Sequence, residues 1–192
     1  MRGLKVKDFQ GTLFLIIGNS GSGKDSIISG VIDKYPSNLK KIHAPKRYIT
    51  RKPSEFEKNL TISSESFKEM EEQGKFALSW QIYGLNYGIP IEIEDYLEKG
   101  HPVIINVSRT IIKQARNRYK NIKVVFIEVP LEITLQRIKN RKRESEELLK
   151  ERIERARKNQ KFPEADLTID NSGKLEDAIN KFFTYLINFI KK

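Results

Sequence analysis

No cysteine occurs among the 192 residues, which removes disulfides, thiolate nucleophiles and Cys-based zinc sites from consideration. Histidine is almost absent as well: His43 and His101 lack the spacing of metal ligands and read as structural or surface residues. No stretch approaches the roughly 18 to 20 apolar residues of a membrane span. The most apolar late run, Phe182 to Ile190, is short and broken by Thr184 and Asn188. Met1-Arg2-Gly3-Leu4-Lys5-Val6-Lys7 carries no apolar signal-peptide core. A cytoplasmic protein with no membrane partner is therefore expected. Internal repeats and low-complexity linkers are missing too.

Carboxylates are in deficit. Asp and Glu number 25 against 36 Lys and Arg, a net charge of +11. Such a surplus attracts anions, either nucleic acid or a small substrate carrying several phosphates. The aromatics are not interleaved with basic residues as a stacking platform, which disfavours nucleic acid. A chain rich in Lys, Ile and Asn also acquires basic charge with no partner attached. The length suits one domain, or one core with small inserted lids.

What is present is an alternation of strand and helix. Gly11–Ile17, Val103–Val107 and Val124–Val129 are apolar runs rich in β-branched residues, as expected of strands covered on both faces. Helical spacing follows them at Asp25–Tyr35, stopped by Pro36, then at Ile111–Arg118 and Leu131–Asn140. Leu167–Ile169 predicts a last strand and Leu175–Ile190 a closing helix. The pattern implies an α/β fold with a parallel sheet. Lys46 to about Gly88 differs in character: β-like at Arg47–Thr50, a helix at Glu65–Gln73 capped by Ser63 or Ser64 and by Gly74, a strand at Phe76–Ile82, then Gly84–Gly88. It reads as an insertion.

Gly18-Asn19-Ser20-Gly21-Ser22-Gly23-Lys24 matches the GxxxxGK phosphate loop and stands between a strand and a helix, as that motif requires. Its backbone N–H groups form an anion nest, and Lys24 reaches the β and γ phosphates of ATP. The residue after the lysine is usually Ser or Thr and meets Mg²⁺. Here it is Asp25, followed by Ser26, and either can serve the metal. Arg137, Arg141 and Arg143 form a second constellation, with Arg152, Arg155 and Arg157 beyond an acidic patch. Arg137 and Arg141 share a helix face and can lean on one transferring phosphoryl group; a solvated, salt-bridged helix is the plainer alternative. No carboxylate base for a hydroxyl acceptor follows a core strand. A phosphate oxygen, already anionic, needs none.

The loop, the insertion leaving through Tyr87-Gly88, the arginine-rich segment and the late Asp170-Asn171 resemble the guanylate kinase superfamily from about Gly11 to Phe189. Within it, GNSGSGKDS, RYITRKP, ALSWQIYGLNYGI, NVSR and RIKNRKRE are similar to the ribose 1,5-bisphosphate phosphokinases of phosphonate catabolism, whose loops share the Lys-Asp-Ser ending. The resemblance implies a three-layer P-loop fold, with a core at about 1–45, 89–138 and 160–192, an acceptor-binding insertion at about 46–88 and a lid at about 139–159. It implies transfer of phosphate from ATP to ribose 1,5-bisphosphate, giving 5-phosphoribosyl 1-diphosphate. Arg47, Arg51, Ser79, Tyr87, Asn106 and Arg109 would hold the acceptor, Asn171 would lie near adenine, and the lid would bring in Arg137, Arg141 and Arg143. Guanylate kinases carry a guanine-reading glutamate before the tryptophan. Ser79 precedes Trp80 here, Ser54 replaces a second arginine, and Leu60 falls at a tyrosine. A guanylate or other nucleoside monophosphate kinase remains an alternative, as does a non-catalytic module, against which the intact Gly23-Lys24 argues. Oligomeric state is left open.

Overall fold

The computed structural model describes residues 6–51, 59–139 and 146–190. In chain order the elements are β1 (Leu13–Gly18), α1 (Lys24–Lys34), β2 (Tyr48–Ile49), β3 (Leu60–Thr61), α2 (Ser64–Glu72), β4 (Phe76–Ile82), β5 (Leu85–Pro90), α3 (Ile93–Glu98) and β6 (Val103–Asn106). A 3-10 turn (Arg109–Ile111) leads into α4 (Ile112–Arg118), then β7 (Ile122–Glu128), α5 (Leu131–Lys139), α6 (Glu146–Lys158), β8 (Leu167–Asp170) and α7 (Leu175–Ile190). The described residues form two compact units. One comprises the segment up to Leu13 with Lys40–Ile122, the other Phe14–Leu39 with the chain from Lys123 onward.

In the second unit β1, β7 and β8 lie in that order, with β7 and β8 parallel and Val125 opposite Leu167. Phe14, Leu15, Ile16 and Ile17 are fully buried, so this strand is covered on both faces, as its unbroken apolar run requires. Phe14 packs edge-on against Phe182 and Phe189 of α7. Helix α1 lies against α7 at Gly30, where an added Cβ would fall 2.3 Å from the Ile179 Cδ1. The far end of α1 is tied down by Lys34, which bonds Glu176 and, at 2.7 Å, Asn180.

The first unit holds a sheet of order β3-β2-β5-β4. Strands β4 and β5 form a hairpin through Tyr83-Gly84, with φ of 56° and 69°, the two positive values of a type I′ turn. Helix α2 starts at Ser63, whose hydroxyl accepts the Ser66 N–H, and seats Phe67 on Phe76 with ring centroids 4.6 Å apart. His43 stacks on Tyr96 at 3.6 Å, and His101 Nδ1 lies 2.9 Å from the Lys41 carbonyl. Both histidines thus have structural places.

Glu94, with 14% of its side chain exposed, accepts from Lys7, from Arg118 Nη2 at 3.0 Å and from Tyr119 Oη at 2.8 Å. Burial alone would raise its carboxyl pKa, but the bonds from Lys7, Tyr119 and Arg118 outweigh that and hold it below the ordinary glutamate value. Burial, then the bond to Glu94, pushes the Tyr119 hydroxyl upward. Since the folded pKa of Glu94 lies below the unfolded one, its stabilisation is present above the ordinary glutamate range and is lost as pH falls through the folded pKa. Glu94→Gln is expected to cost about 2 kcal/mol at neutral pH. The urea midpoints of variant and wild type should converge as pH falls below the ordinary glutamate range, and a gap independent of pH would count against the ionic origin.

Candidate active site

Strand β1 ends at Gly18 and α1 begins at Lys24, so the glycine-rich segment is the bend between them. The N-cap of α1 is Gly23, at φ 86°, and no side chain caps the helix. A first turn without a side-chain cap presents its backbone N–H groups and the positive end of the helix dipole to an anion. Lys24 Nζ donates to the Gly18 and Asn19 carbonyls, both at 2.9 Å, and to Ser22 Oγ at 3.3 Å. The ammonium therefore sits inside the bend. Ser22 is buried, while Asp25 and Ser26 are exposed on the first turn of α1.

Three elements brace this bend. Arg137 on α5 donates to the Gly21 carbonyl at 3.4 Å and the Asn171 carbonyl at 3.3 Å. Asn171, just past β8 and 3% exposed, donates its side-chain N–H to the Ser22 carbonyl at 2.7 Å. From α6, Arg152 Nη1 donates to Ser20 Oγ at 2.9 Å. The Asn19 amide reaches the Asn159 carbonyl at 3.0 Å and the Ala156 carbonyl at 3.4 Å. Arg137 is thus placed on the loop, and Arg141 and Arg143 lie outside the described residues. Two parts were missed from sequence: Arg152, seen only as one of a cluster, and the loop-bracing amide of Asn171, expected near adenine.

The expected acceptor residues lie in the first unit. Arg47 Nη1 donates to the Asn106 carbonyl at 3.0 Å and its Nε to Asn59 Oδ1 at 3.4 Å, which draws Arg47 and Asn106 together. Arg109 opens the 3-10 turn, capped by Ser108 and packed beside β4. Arg51, half-buried, follows β2. Trp80 and Tyr87 face each other across the hairpin and stack at 5.3 Å, whereas Ser79 stands opposite Gly88. Ser79 and Tyr87 accordingly project from opposite faces. Ser79 Oγ donates to Glu71 Oε1 on α2 at 2.5 Å, a partner that nothing in the sequence pattern signalled.

The family model for guanylate kinase matches residues 10–188. The chain belongs to the guanylate kinase family. Among curated relatives, the ribose 1,5-bisphosphate phosphokinase PhnN of Bradyrhizobium diazoefficiens is 35% identical over 167 residues, covering 85% of this chain and 81% of that one. PhnN of Pseudomonas paraeruginosa is 35% identical over 178 residues, with 92% and 95% covered. Among solved structures, the guanylate kinase of Anaplasma phagocytophilum superposes with a TM-score of 0.71 at 17% identity, over 96% of this chain and 89% of that one. A sugar kinase from Janibacter superposes with a TM-score of 0.52 at 18% identity, over 92% and 95%. These two are likenesses of fold: the guanylate kinase-like α/β architecture with its parallel sheet.

Guanylate kinase chemistry implies Mg²⁺ with ATP. No group of three or more His, Asp or Glu able to hold a metal occurs among the described residues. One carboxylate and one hydroxyl, Asp25 and Ser26, are exposed on the turn next to Lys24. That donor set suits a Mg²⁺ carried mainly by phosphate oxygens and water, not a cage built by protein. Among the described residues no helix is long and apolar enough to cross a membrane.

Proposed function

We propose that this kinase transfers the γ-phosphoryl group of ATP to the 1-phosphate of ribose 1,5-bisphosphate. An oxygen of that phosphate bonds to the γ-phosphorus, the bond to the β-phosphate oxygen breaks, and 5-phosphoribosyl 1-diphosphate and ADP result. The observation that carries phosphotransfer is the Lys24 ammonium held in the bend before an uncapped helix, with Arg137 and Arg152 bonded to the same loop. The choice of acceptor is supported by the PhnN relatives, similar over most of the chain.

In this reading Lys24 exchanges its carbonyl partners for β- and γ-phosphate oxygens. Arg137 and Arg152, joined by Arg141 and Arg143 of the lid, take up the charge that spreads over the phosphoryl oxygens in the transition state. Asp25 or Ser26 would be the protein contact of a Mg²⁺ ion, which when bound would supply charge neutralisation to the triphosphate. Arg47, Arg51 and Arg109 hold the acceptor phosphates, and Ser79, Tyr87 and Asn106 shape the rest of that site within the insertion. Asn171 lies beside adenine while its amide braces the loop. The acceptor oxygen is already ionised, so no general base is required. A cytoplasmic ATP supply goes with this chemistry.

One contact favours a second reading. Glu71 sets a carboxylate at Ser79, and a carboxylate can accept from two N–H groups of a base, as a nucleoside monophosphate kinase would need. A panel of phosphate acceptors with Mg-ATP separates the two. We expect ready formation of the diphosphate product from ribose 1,5-bisphosphate, and a kcat/KM for GMP lower by about 100-fold or more. Turnover of GMP with none of the sugar bisphosphate would overturn the assignment.

A further inference from the structure

We propose that Asn19 is a positioning residue that fixes α6 over the phosphate loop and thereby aims Arg152 at the transferring phosphoryl group; this rests on the phosphotransfer reading above. Asn19 and Ser20 are adjacent in the loop, and both hold α6. Ser20 Oγ receives Arg152 Nη1 at 2.9 Å. Asn19 Nδ2 donates to the carbonyls of Ala156 and Asn159. Arg152 and Ala156 are one helical turn apart on the same face of α6, and Ala156 is only 2% exposed. The helix is therefore pinned at two successive turns by two successive loop residues.

The carbonyls that Asn19 meets lie in the last turn of α6 and just beyond it, where a helix has no N–H of its own to offer them. A carboxamide has two N–H donors, and here both acceptors are carbonyl oxygens, so the amide must present nitrogen to them. Asn159 and Gln160 close the same helix end from their own side, with their amides on the Arg155 and Ala156 carbonyls. Without Asn19, Ser20 would remain to hold α6 to the loop, and the angle at which the helix meets the loop would rest on its packing against α5. The second attachment one turn on fixes that angle. A guanidinium that acts on charge developing in the transition state is sensitive to placement: a misplacement of about 1 Å can cost about 100-fold in rate. It contributes little to ground-state ATP binding.

The test is a double-mutant cycle in the full chain, using Asn19→Ala, Asn19→Asp, Arg152→Ala and the Asn19→Ala/Arg152→Ala pair. Kinetics with Mg-ATP and ribose 1,5-bisphosphate are read beside hydrogen exchange of the α6 amides. We expect Asn19→Ala to lower kcat about 10-fold with KM for ATP nearly unchanged, and to speed exchange in the last turn of α6. Asn19→Asp, isosteric but with an acceptor facing two carbonyls, should lose more. The double variant should be no slower than Arg152→Ala alone, because Asn19 acts through Arg152. Independent, multiplicative losses would overturn the proposal, as would a thermal destabilisation by Asn19→Ala that lowers kcat equally in both backgrounds. An active wild type whose α6 exchange is unaltered by Asn19→Ala sinks the positioning role alone. A wild type inactive on every phosphate acceptor sinks the phosphotransfer reading, and the aiming of Arg152 with it.

Discussion

Lys24→Met is expected to leave the protein folded and to lower kcat by about 10²- to 10³-fold, the usual effect of removing one pre-placed donor from a developing oxyanion. The ammonium is already gathered by the Gly18 and Asn19 carbonyls and by Ser22 Oγ, so the charge is held within the loop before it changes partners. Methionine keeps the length of the stem and loses the charge. The Gly18 and Asn19 carbonyls belong to half-exposed residues and recover water as a partner, so the thermal midpoint should move by no more than about 4 °C. Lys24→Arg should be nearly as impaired, because a planar guanidinium does not replace a compact ammonium ringed by three acceptors. Steady-state kinetics with a thermal melt decide this, and a variant retaining more than about a tenth of wild-type kcat contradicts the role given to Lys24.

Gly23→Ala should damage stability and activity together. Gly23 has φ 86°, and a Cβ there would fall 2.4 Å from Asn171 Nδ2. Alanine must adopt a left-handed conformation, costing about 1–2 kcal/mol. It must also displace the amide that holds the Ser22 carbonyl at 2.7 Å, losing about 1 kcal/mol more. Arg137 bonds both Asn171 and Gly21, so the disturbance spreads to the arginine proposed above to meet the phosphoryl group. We expect a melting midpoint lower by about 5–10 °C and a kcat/KM for ATP reduced about 100-fold. A wild-type melting curve for this variant would show that the close approach of Gly23 to Asn171 does not exist in solution. Set against Lys24→Met, the pair separates loss of charge from loss of loop shape.

The outcome of reading the sequence follows the physics of each segment. Leu175–Ile190 and Phe76–Ile82 have the expected bounds, because a long amphipathic stripe and a β-rich run between turn residues are each strong local signals. The N-cap at Ser63 and the stop before Pro36 were legible for the same reason. Short elements were not. β3 is two exposed residues paired to β2, and α3 is six residues with no side-chain cap, so neither carries a period long enough to see. Helix α6 is so rich in charge that its sparse apolar positions were overshadowed by its arginines. The family resemblance implies that this stretch belongs to a lid at about 139–159, and the helix adds that Arg152 and Ala156 share one face. At the site, the phosphate loop announces itself by spacing, whereas the brace from Asn171 and the meeting of Ser79 with Glu71 depend on partners 149 and 8 residues away. Contacts between distant segments leave no periodic trace in a single chain.

The packing of Gly30 against Ile179 bears on which part of the enzyme moves during turnover. Helix α1 carries the phosphate loop at its N-terminal end, yet sliding or rolling it would drive its backbone into the Ile179 side chain, and Lys34 anchors its other end to α7. The phosphate loop is thus carried by a helix held along its length by α7. Helix α6, by contrast, meets the loop residues Asn19 and Ser20 through a few hydrogen bonds, each worth about 1 kcal/mol.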